Sequence, residues 1–281
     1  MFKNTLKTFT LLAALGAVFI MAGGLFGGRT GLFIGLAIGL VFVGGSYWFS
    51  DRLAVKSANA NEVSEESAPQ LYALVRDLAG RADMVMPRVY LSENMQPNAF
   101  ATGRNERKAV VCVTRGLLQV LDESEVRGVV AHELAHIRHR DILIGSVAAA
   151  VAMGITALAT FARFAAIFGG GRDDEDSNPL ALLAFAIFAP LAAMLIQMAI
   201  SRSREFEADR GGAEIAGGGE ALARALGKIE QYAKQVPMNV NPAQATSYIV
   251  NPLTGRKVQF ANLFQTHPPT EERIRRLRAA S

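Results

Sequence analysis

Val129-Val130-Ala131-His132-Glu133-Leu134-Ala135-His136-Ile137 sets an HExxH motif inside an apolar helical run. Residues four apart on a helix share a face. His132 and His136 are offset by about 40° in rotation and roughly 6 Å in rise, so both imidazoles can close on one metal ion. Glu133 is turned by about 100° from His132, close enough to reach a water on that ion without ligating it. Five-letter matches of this kind also occur by chance on solvated helices. Two features speak against that origin. Apolar Val129, Val130, Leu134 and Ile137 surround the motif, which puts one side of its helix in a core. Asp122 and Glu125 stand three apart just upstream, the spacing of a capping box.

A catalytic zinc takes three protein ligands and keeps a fourth position open. The best candidate for the third is Glu205, in Ser201-Arg202-Ser203-Arg204-Glu205-Phe206-Glu207-Ala208-Asp209. Glu205 and Asp209 are again four apart on an expected helix. One can ligate while the other accepts a hydrogen bond from the second ring nitrogen of a ligand histidine. Spacing alone leaves a solvated acidic face as the alternative. His139 shares the stripe of His132, but it lies about 10 Å along the axis and is too far to join both other histidines on one ion.

The chain resembles the HtpX family of membrane-bound zinc heat-shock proteases, relatives of the CAAX prenyl proteases. The resemblance rests on Pro97-Asn98-Ala99-Phe100-Ala101-Thr102-Gly103, Thr114-Arg115-Gly116-Leu117-Leu118, His132 to His136 with Asp141, Glu205 to Asp209, and Thr266-His267-Pro268. These stretches come in the family order and span nearly the whole chain. The resemblance implies one zinc ion per chain on His132, His136 and Glu205, with Glu133 as catalytic base and Asp209 supporting the ligands from behind. It makes Asn98-Ala99-Phe100-Ala101 an edge strand that pairs with substrate, where pattern alone reads as ordinary core. In relatives a histidine at the place of His267 can approach the zinc, to stabilise the oxyanion or to occupy the open site as a switch. A plain structural role for His267 stands beside that. The implied substrates are damaged or misfolded membrane proteins, in a stress-response and quality-control role.

The composition agrees with a membrane setting. Of 281 residues 51% are hydrophobic, and the mean hydropathy is +0.22. Four stretches lack any charged residue: 8–28, 30–50, 142–162 and 177–201. Each reaches the ~20 residues that a spanning helix needs, so four transmembrane helices are expected. Lys3 and Lys7 ahead of the first could also mark a cleaved secretory signal. A second apolar stretch starts at once after Gly27-Gly28-Arg29, which favours a hairpin. Gly31, Gly35 and Gly39 form a GxxxGxxxG ridge for close helix contact, within the bundle or in a homo-oligomer. Lys3, Lys7, Arg52, Lys56, Arg138, Arg140, Arg202 and Arg204 flank the four stretches, and the positive-inside rule turns those ends to the cytoplasm. The acidic loop 169–178 then lies outside. The expected location is a multi-pass protein of the bacterial inner membrane, in contact with the lipid bilayer, with its active site facing the cytoplasm.

The expected fold class is therefore a mainly α integral-membrane protein, with four transmembrane helices and a cytoplasmic α+β zincin-like metalloprotease domain holding a small sheet. Its parts are a hairpin at 1–50, the first protease segment with HExxH at 51–141, a second hairpin at 142–201 and the second protease segment at 202–281. Pattern and spacing place a helix over 68–79, strands over 87–91, 98–102 and 108–114, a short helix over 116–121 and a helix over 220–234, and 270–278 reads as a short basic helix. The segment 237–251 reads as irregular. Gly211-Gly212 and Gly217-Gly218-Gly219 read as punctuation near helix ends, with no strand placed to make a phosphate cradle. Cys112 is the only cysteine and reads as a packed core thiol. Net charge is only +4, and no basic block interleaved with aromatics supports a nucleic-acid partner.

Three functions compete on these grounds. A membrane-bound zinc endopeptidase acting on polypeptides uses every feature. An intramembrane protease would bury its HExxH within a span, but Arg138, Arg140 and Asp141 follow the motif directly. A non-catalytic zinc-binding scaffold or regulator has no need of Glu133.

Overall fold

The computed structural model describes residues 2–142, 202–236, 249 and 268–279. The third and fourth charge-free stretches beyond Ile142, the segment 237–251 apart from Ile249, and His267 lie outside the described residues.

Helix α1 (Phe2–Trp48) is broken at Gly27 (φ −138°, ψ 20°) and Gly28 (φ 52°, ψ −137°). Gly28 takes a left-handed backbone that a side chain would strain, and the chain doubles back as a helical hairpin. The glycine ridge faces inward across it. A methyl group on Gly31 would lie 2.1 Å from the Gly23 carbonyl oxygen, and one on Gly35 would lie 2.3 Å from that of Phe19. The ridge is thus filled within one chain. The opposite face carries exposed Phe33, Ile34, Leu40 and Val41, the last 77% exposed. Among the described residues, Gly27–Gly45 is the stretch long and apolar enough to cross a membrane.

A short helix α2 (Ser50–Ser57) leads into a mixed sheet of β1 (Ala60–Glu62), β2 (Arg88–Ser92), β3 (Ala99–Thr102) and β4 (Val110–Thr114). Their order is β1-β2-β4-β3, with β2 and β4 parallel and the other pairs antiparallel. Every residue of β4 is buried, which explains a continuous apolar run where a half-solvated strand would alternate. Cys112 sits at its centre, fully buried, and burial pushes its thiol up to about 12. Among the described residues, strand β3 is an edge. Thr114 N–H donates to Asn98 O at 3.0 Å, and Phe100 stands opposite Cys112. In an antiparallel pair bonding residues alternate, so the N–H and C=O groups of Ala99 and Ala101 face away from β4.

The remaining elements are α3 (Pro69–Arg81), α4 (Arg115–Val120), α5 (Glu123–Arg138), α6 (Arg202–Ala216), α7 (Glu220–Gln235) and α8 (Thr270–Ala279). Leu74, Val75 and Leu78 of α3, Val111 and Val113 of β4, Val129, Val130 and Leu134 of α5, and Leu222 and Leu226 of α7 share one core. The sheet side is tied to α2 and to the end of the hairpin: Arg88 of β2 pairs with Asp51 of α2 at 2.7 Å, and the Arg104 guanidinium, just past β3, stacks 4.4 Å above the Trp48 ring.

One strand is unexpected, and two local expectations change. Strand β1, Ala-Asn-Glu, has no β-branched or aromatic residue to announce it and forms by pairing with β2. A 3-10 turn at Glu106–Lys108, capped by the Asn105 side chain, delays β4 to Val110. Gly211 and Gly212 are not helix-end punctuation but lie inside α6 on its buried face. Gly217 and Gly218, with positive φ, do end that helix.

Candidate metal centre

Helix α5 starts where the capping box predicts. Asp122 Oδ1 accepts from Glu125 N at 2.9 Å, and Glu125 Oε2 accepts from Asp122 N at 3.0 Å. Three carboxylates in this turn also complement the helix dipole. Glu125 is fully buried, and Lys228 of α7 neutralises it at 2.7 Å. The motif helix is therefore fixed at its start before any metal-site contact is made.

Helix α6 lies directly on α5 because Gly212 has no side chain. A methyl group there would fall 2.8 Å from both the N and the Cα of His132. That approach brings Glu205 to the two histidines. The Nε2 atoms of His132 and His136 are 3.2 Å apart, and Glu205 oxygens lie 3.8 Å from the first and 3.6 Å from the second. One donor atom from each residue falls within 4.8 Å of the others. His132 and Glu205 are buried and His136 is half-buried. Two imidazole nitrogens and a carboxylate converging on one point fit a divalent cation, and the donor set is that of a catalytic site with an open position.

Supporting groups stand behind each histidine. His132 Nδ1 lies 3.0 Å from Asp209 Oδ1, a close contact without the alignment of a full hydrogen bond. Behind Asp209 is Arg273 of α8, only 1% exposed. Its Nε donates to Oδ2 at 2.9 Å and its Nη2 to Oδ1 at 2.7 Å. Burial alone would raise the Asp209 carboxyl, but Arg273, assisted by His132, holds it well below the usual carboxylate range. His136 is served by Asp141, whose Oδ2 lies 3.4 Å from Nδ1. The placement of Asp141 follows from the end of α5. Arg140 takes φ 59°, while Arg140 N–H bonds Ile137 O and Asp141 N–H bonds His136 O. This is a Schellman closure with arginine where glycine is usual, and it folds Asp141 back over its histidine. Burial opposes charge on His136. The Asp141 hydrogen bond and the Glu205 and Glu133 carboxylates outweigh it, raising the imidazole to about 9.

Glu133 is 6% exposed, and its Oε2 accepts the outward N–H of Ala101 at 2.8 Å. The prospective base is thus already in contact with the outer side of β3, which pairs with no further strand among the described residues. Along that edge Phe100 is half-buried, while Asn98 and Ala99 are buried. The Asn98 side chain turns inward, and its Oδ1 accepts from Ile249 N at 3.2 Å. Glu207 is exposed, on the side of α6 away from the cluster, and His139 is half-buried at the end of α5. Sequence reading missed Arg273 and gave Asp141 no role. One signal for Arg273 was present: it shares a helical stripe with Thr270 and Leu277, and all three are buried. A charge in register with apolar positions on a short helix asks for a buried partner.

Comparison with known proteins agrees with this geometry. Residues 65–281 match the model of peptidase family M48. A protease HtpX homolog of Ralstonia pickettii (strain 12J) is 56% identical over 281 residues, covering 98% of this chain and 96% of the relative. One from Burkholderia thailandensis is 54% identical over 279 residues, with the same coverage. The crystal structure of S. mikatae Ste24p superposes with a TM-score of 0.52 at 19% identity, over 98% of this chain, and speaks for the fold alone. This chain spans 65% of the length of that one. Matching the family over most of its length and more than half identical to protease relatives from end to end, the chain belongs to peptidase family M48 and is a membrane-bound metalloprotease.

Proposed function

We propose that the protein is a zinc endopeptidase of the bacterial inner membrane that cuts damaged or misfolded membrane proteins from the cytoplasmic side. The convergence of His132, His136 and Glu205 within 4.8 Å, with Glu133 alongside, carries this reading. In it the three residues hold zinc, Glu133 is the base, and Asp209 supports His132. Zinc bound there would supply Lewis acidity to the scissile carbonyl and to the attacking water. Glu133 takes the proton of that water and later delivers it to the leaving amine. Ala101 N–H keeps the carboxylate aimed, and burial keeps competing water away from it. An extended substrate pairs with the outward groups of Ala99 and the outward carbonyl of Ala101, a β-augmentation that fixes the peptide in register, while the Ala101 N–H stays with Glu133. His267 belongs to the same proposal, as oxyanion donor or as a switch on the open position.

The four-part layout at 1–50, 51–141, 142–201 and 202–281 is proposed with it, with spans at 8–28, 30–50, 142–162 and 177–201. The exposed apolar face at Phe33, Ile34, Leu40 and Val41 supports the span at 30–50, and the charge-free run folded back against it at Gly27 and Gly28 supports the span at 8–28. The charge-free sequence and the flanking arginines support the second pair. Filling of the glycine ridge within one chain leaves that ridge no part in a homo-oligomer.

The test is Glu133→Gln, assayed on an unfolded membrane protein with and without chelator. The variant keeps zinc at wild-type stoichiometry and loses proteolysis by about 10²–10⁴-fold. Loss of stoichiometric zinc would make Glu133 a ligand. Chelator-insensitive cleavage by the unmodified protein would remove the zinc reading altogether.

A further inference from the structure

We propose that Arg273 is a positioning residue of the metal centre, and that docking of α8 and metal loading are linked equilibria. This rests on the zinc reading of His132, His136 and Glu205.

The Arg273 guanidinium is fully enclosed, and its contacts go to three segments far apart in sequence. Nε and Nη2 hold both oxygens of Asp209 on α6. Nη1 donates to Ile249 O at 2.9 Å. Nη2 also stands 3.5 Å from His132 Nε2, the nitrogen turned towards the metal position. Ile249 is gripped from its other side as well, since its N–H bonds Asn98 Oδ1 at 3.2 Å, next to the β3 edge. One planar fork thus ties the ligand-bearing helices, a connecting residue and the substrate edge to a helix that contributes no ligand.

A core ion pair that served stability alone would need only Asp209 and Arg273. Here the same Asp209 Oδ1 that accepts from Arg273 at 2.7 Å lies 3.0 Å from His132 Nδ1. Asp209 can steady the imidazole only while its own carboxylate is held. Two parallel bonds from a rigid guanidinium fix the carboxylate plane, which an ammonium with a single point of contact cannot do. Removing Arg273 frees Asp209 to turn and leaves a buried carboxylate without its counter-charge. Metal affinity falls because His132 loses its orientation, although no ligand has changed. Linkage then runs the other way. A metal that binds the ordered α5–α6 pair more tightly also holds α8 in place, because a coupling free energy is reciprocal.

The experiment uses the full chain in detergent and reads zinc affinity by chelator competition, together with the ligand-field spectrum of the cobalt-loaded protein. Arg273→Gln weakens zinc by about 10–100-fold, the range of losses from groups that support ligands, and alters the cobalt spectrum. Arg273→Lys keeps a positive charge in the core and recovers only part of the affinity. Arg273→Gln combined with Asp209→Asn is no worse than the weaker single variant, because the two act as one unit. Hydrogen exchange in α8 of the unmodified protein slows when zinc is added, a measurement that needs no substitution and survives misfolding of any variant. Wild-type zinc affinity and an unchanged cobalt spectrum in Arg273→Lys would overturn the proposal, as would additive losses in the double variant. Exchange in α8 that ignores zinc would overturn the linkage. If the unmodified protein binds no zinc, or binds it equally well after His132→Ala, the reading beneath the proposal falls first.

Discussion

Two of the helix contacts among the described residues are closed by missing side chains, for opposite reasons. In the α1 hairpin, Gly31 and Gly35 lie against backbone carbonyls of Gly23 and Phe19. Nothing polar from a side chain is delivered there. For the hairpin proposed to lie in the membrane, close approach is the gain itself, since lipid tails offer helices no hydrophobic incentive to associate and packing must come from direct van der Waals contact. Between α5 and α6, Gly212 lies against the backbone of His132. Here the approach brings Glu205 and Asp209 onto two histidines, a costly gathering of charge that an ordinary helix spacing of 8–10 Å would hold apart. The first contact is about shape and the second about what shape brings together. Substitutions should therefore behave differently at the two.

If α5 and α6 approach in order to deliver a carboxylate, deleting that carboxylate should cost most. Glu205→Ala abolishes peptide cleavage, and added zinc does not restore it. Gly212→Ala follows: the new methyl must push α6 from His132, so zinc affinity and turnover fall together, by roughly 10–100-fold. Zinc titration distinguishes the two, because excess metal recovers part of the Gly212→Ala activity. Next comes proton competition at His136. Its metal-free imidazole is raised to about 9, so it stabilises the metal-free fold fully below its unfolded value and loses that contribution as pH rises through about 9. Metal needs the neutral ring, so apparent zinc affinity drops by about tenfold for each pH unit below that point, with one proton released per zinc bound. Affinity unchanged between pH 7 and 8.5 would contradict the assigned charge. Gly35→Ala should separate the hairpin helices at a cost of about 1–3 kcal/mol in stability, read by thermal unfolding in detergent, with zinc affinity untouched. A fall in zinc affinity there would mean that the two contacts are coupled. Glu207→Gln is the quiet control, changing turnover by less than about twofold.

How much was legible depends on whether a residue's partner lies nearby in sequence. The capping box, the HExxH face and the Gly27-Gly28 turn are local, and spacing alone places them. The α3 and α7 helices follow from apolar periodicity within a residue or two, and α8 from a short basic run that closes the chain. Asp141 was hidden because its position depends on a left-handed Arg140, a conformation the residue type disfavours. Arg273 was hidden because its partner lies 64 residues away, so on its own it joined a run of solvated arginines. Strand β1 has no propensity signal, and pairing with β2 supplies what its residues do not. Gly212 was visible as a glycine, but whether it ended a helix or admitted a neighbour depended on a second helix that periodicity cannot position.

Cys112 has a consequence for life under oxidative stress. Peroxides and disulfide exchange attack the thiolate, and a thiol pushed up to about 12 is ionised in only about one molecule in 10⁵ at neutral pH. Buried at the middle of β4 and without a second cysteine to pair with, it offers oxidants neither a nucleophile nor a partner within the chain. Set between Val111 and Val113, it serves the core as a small apolar side chain, and the folded strand shields its sulfur from oxidants.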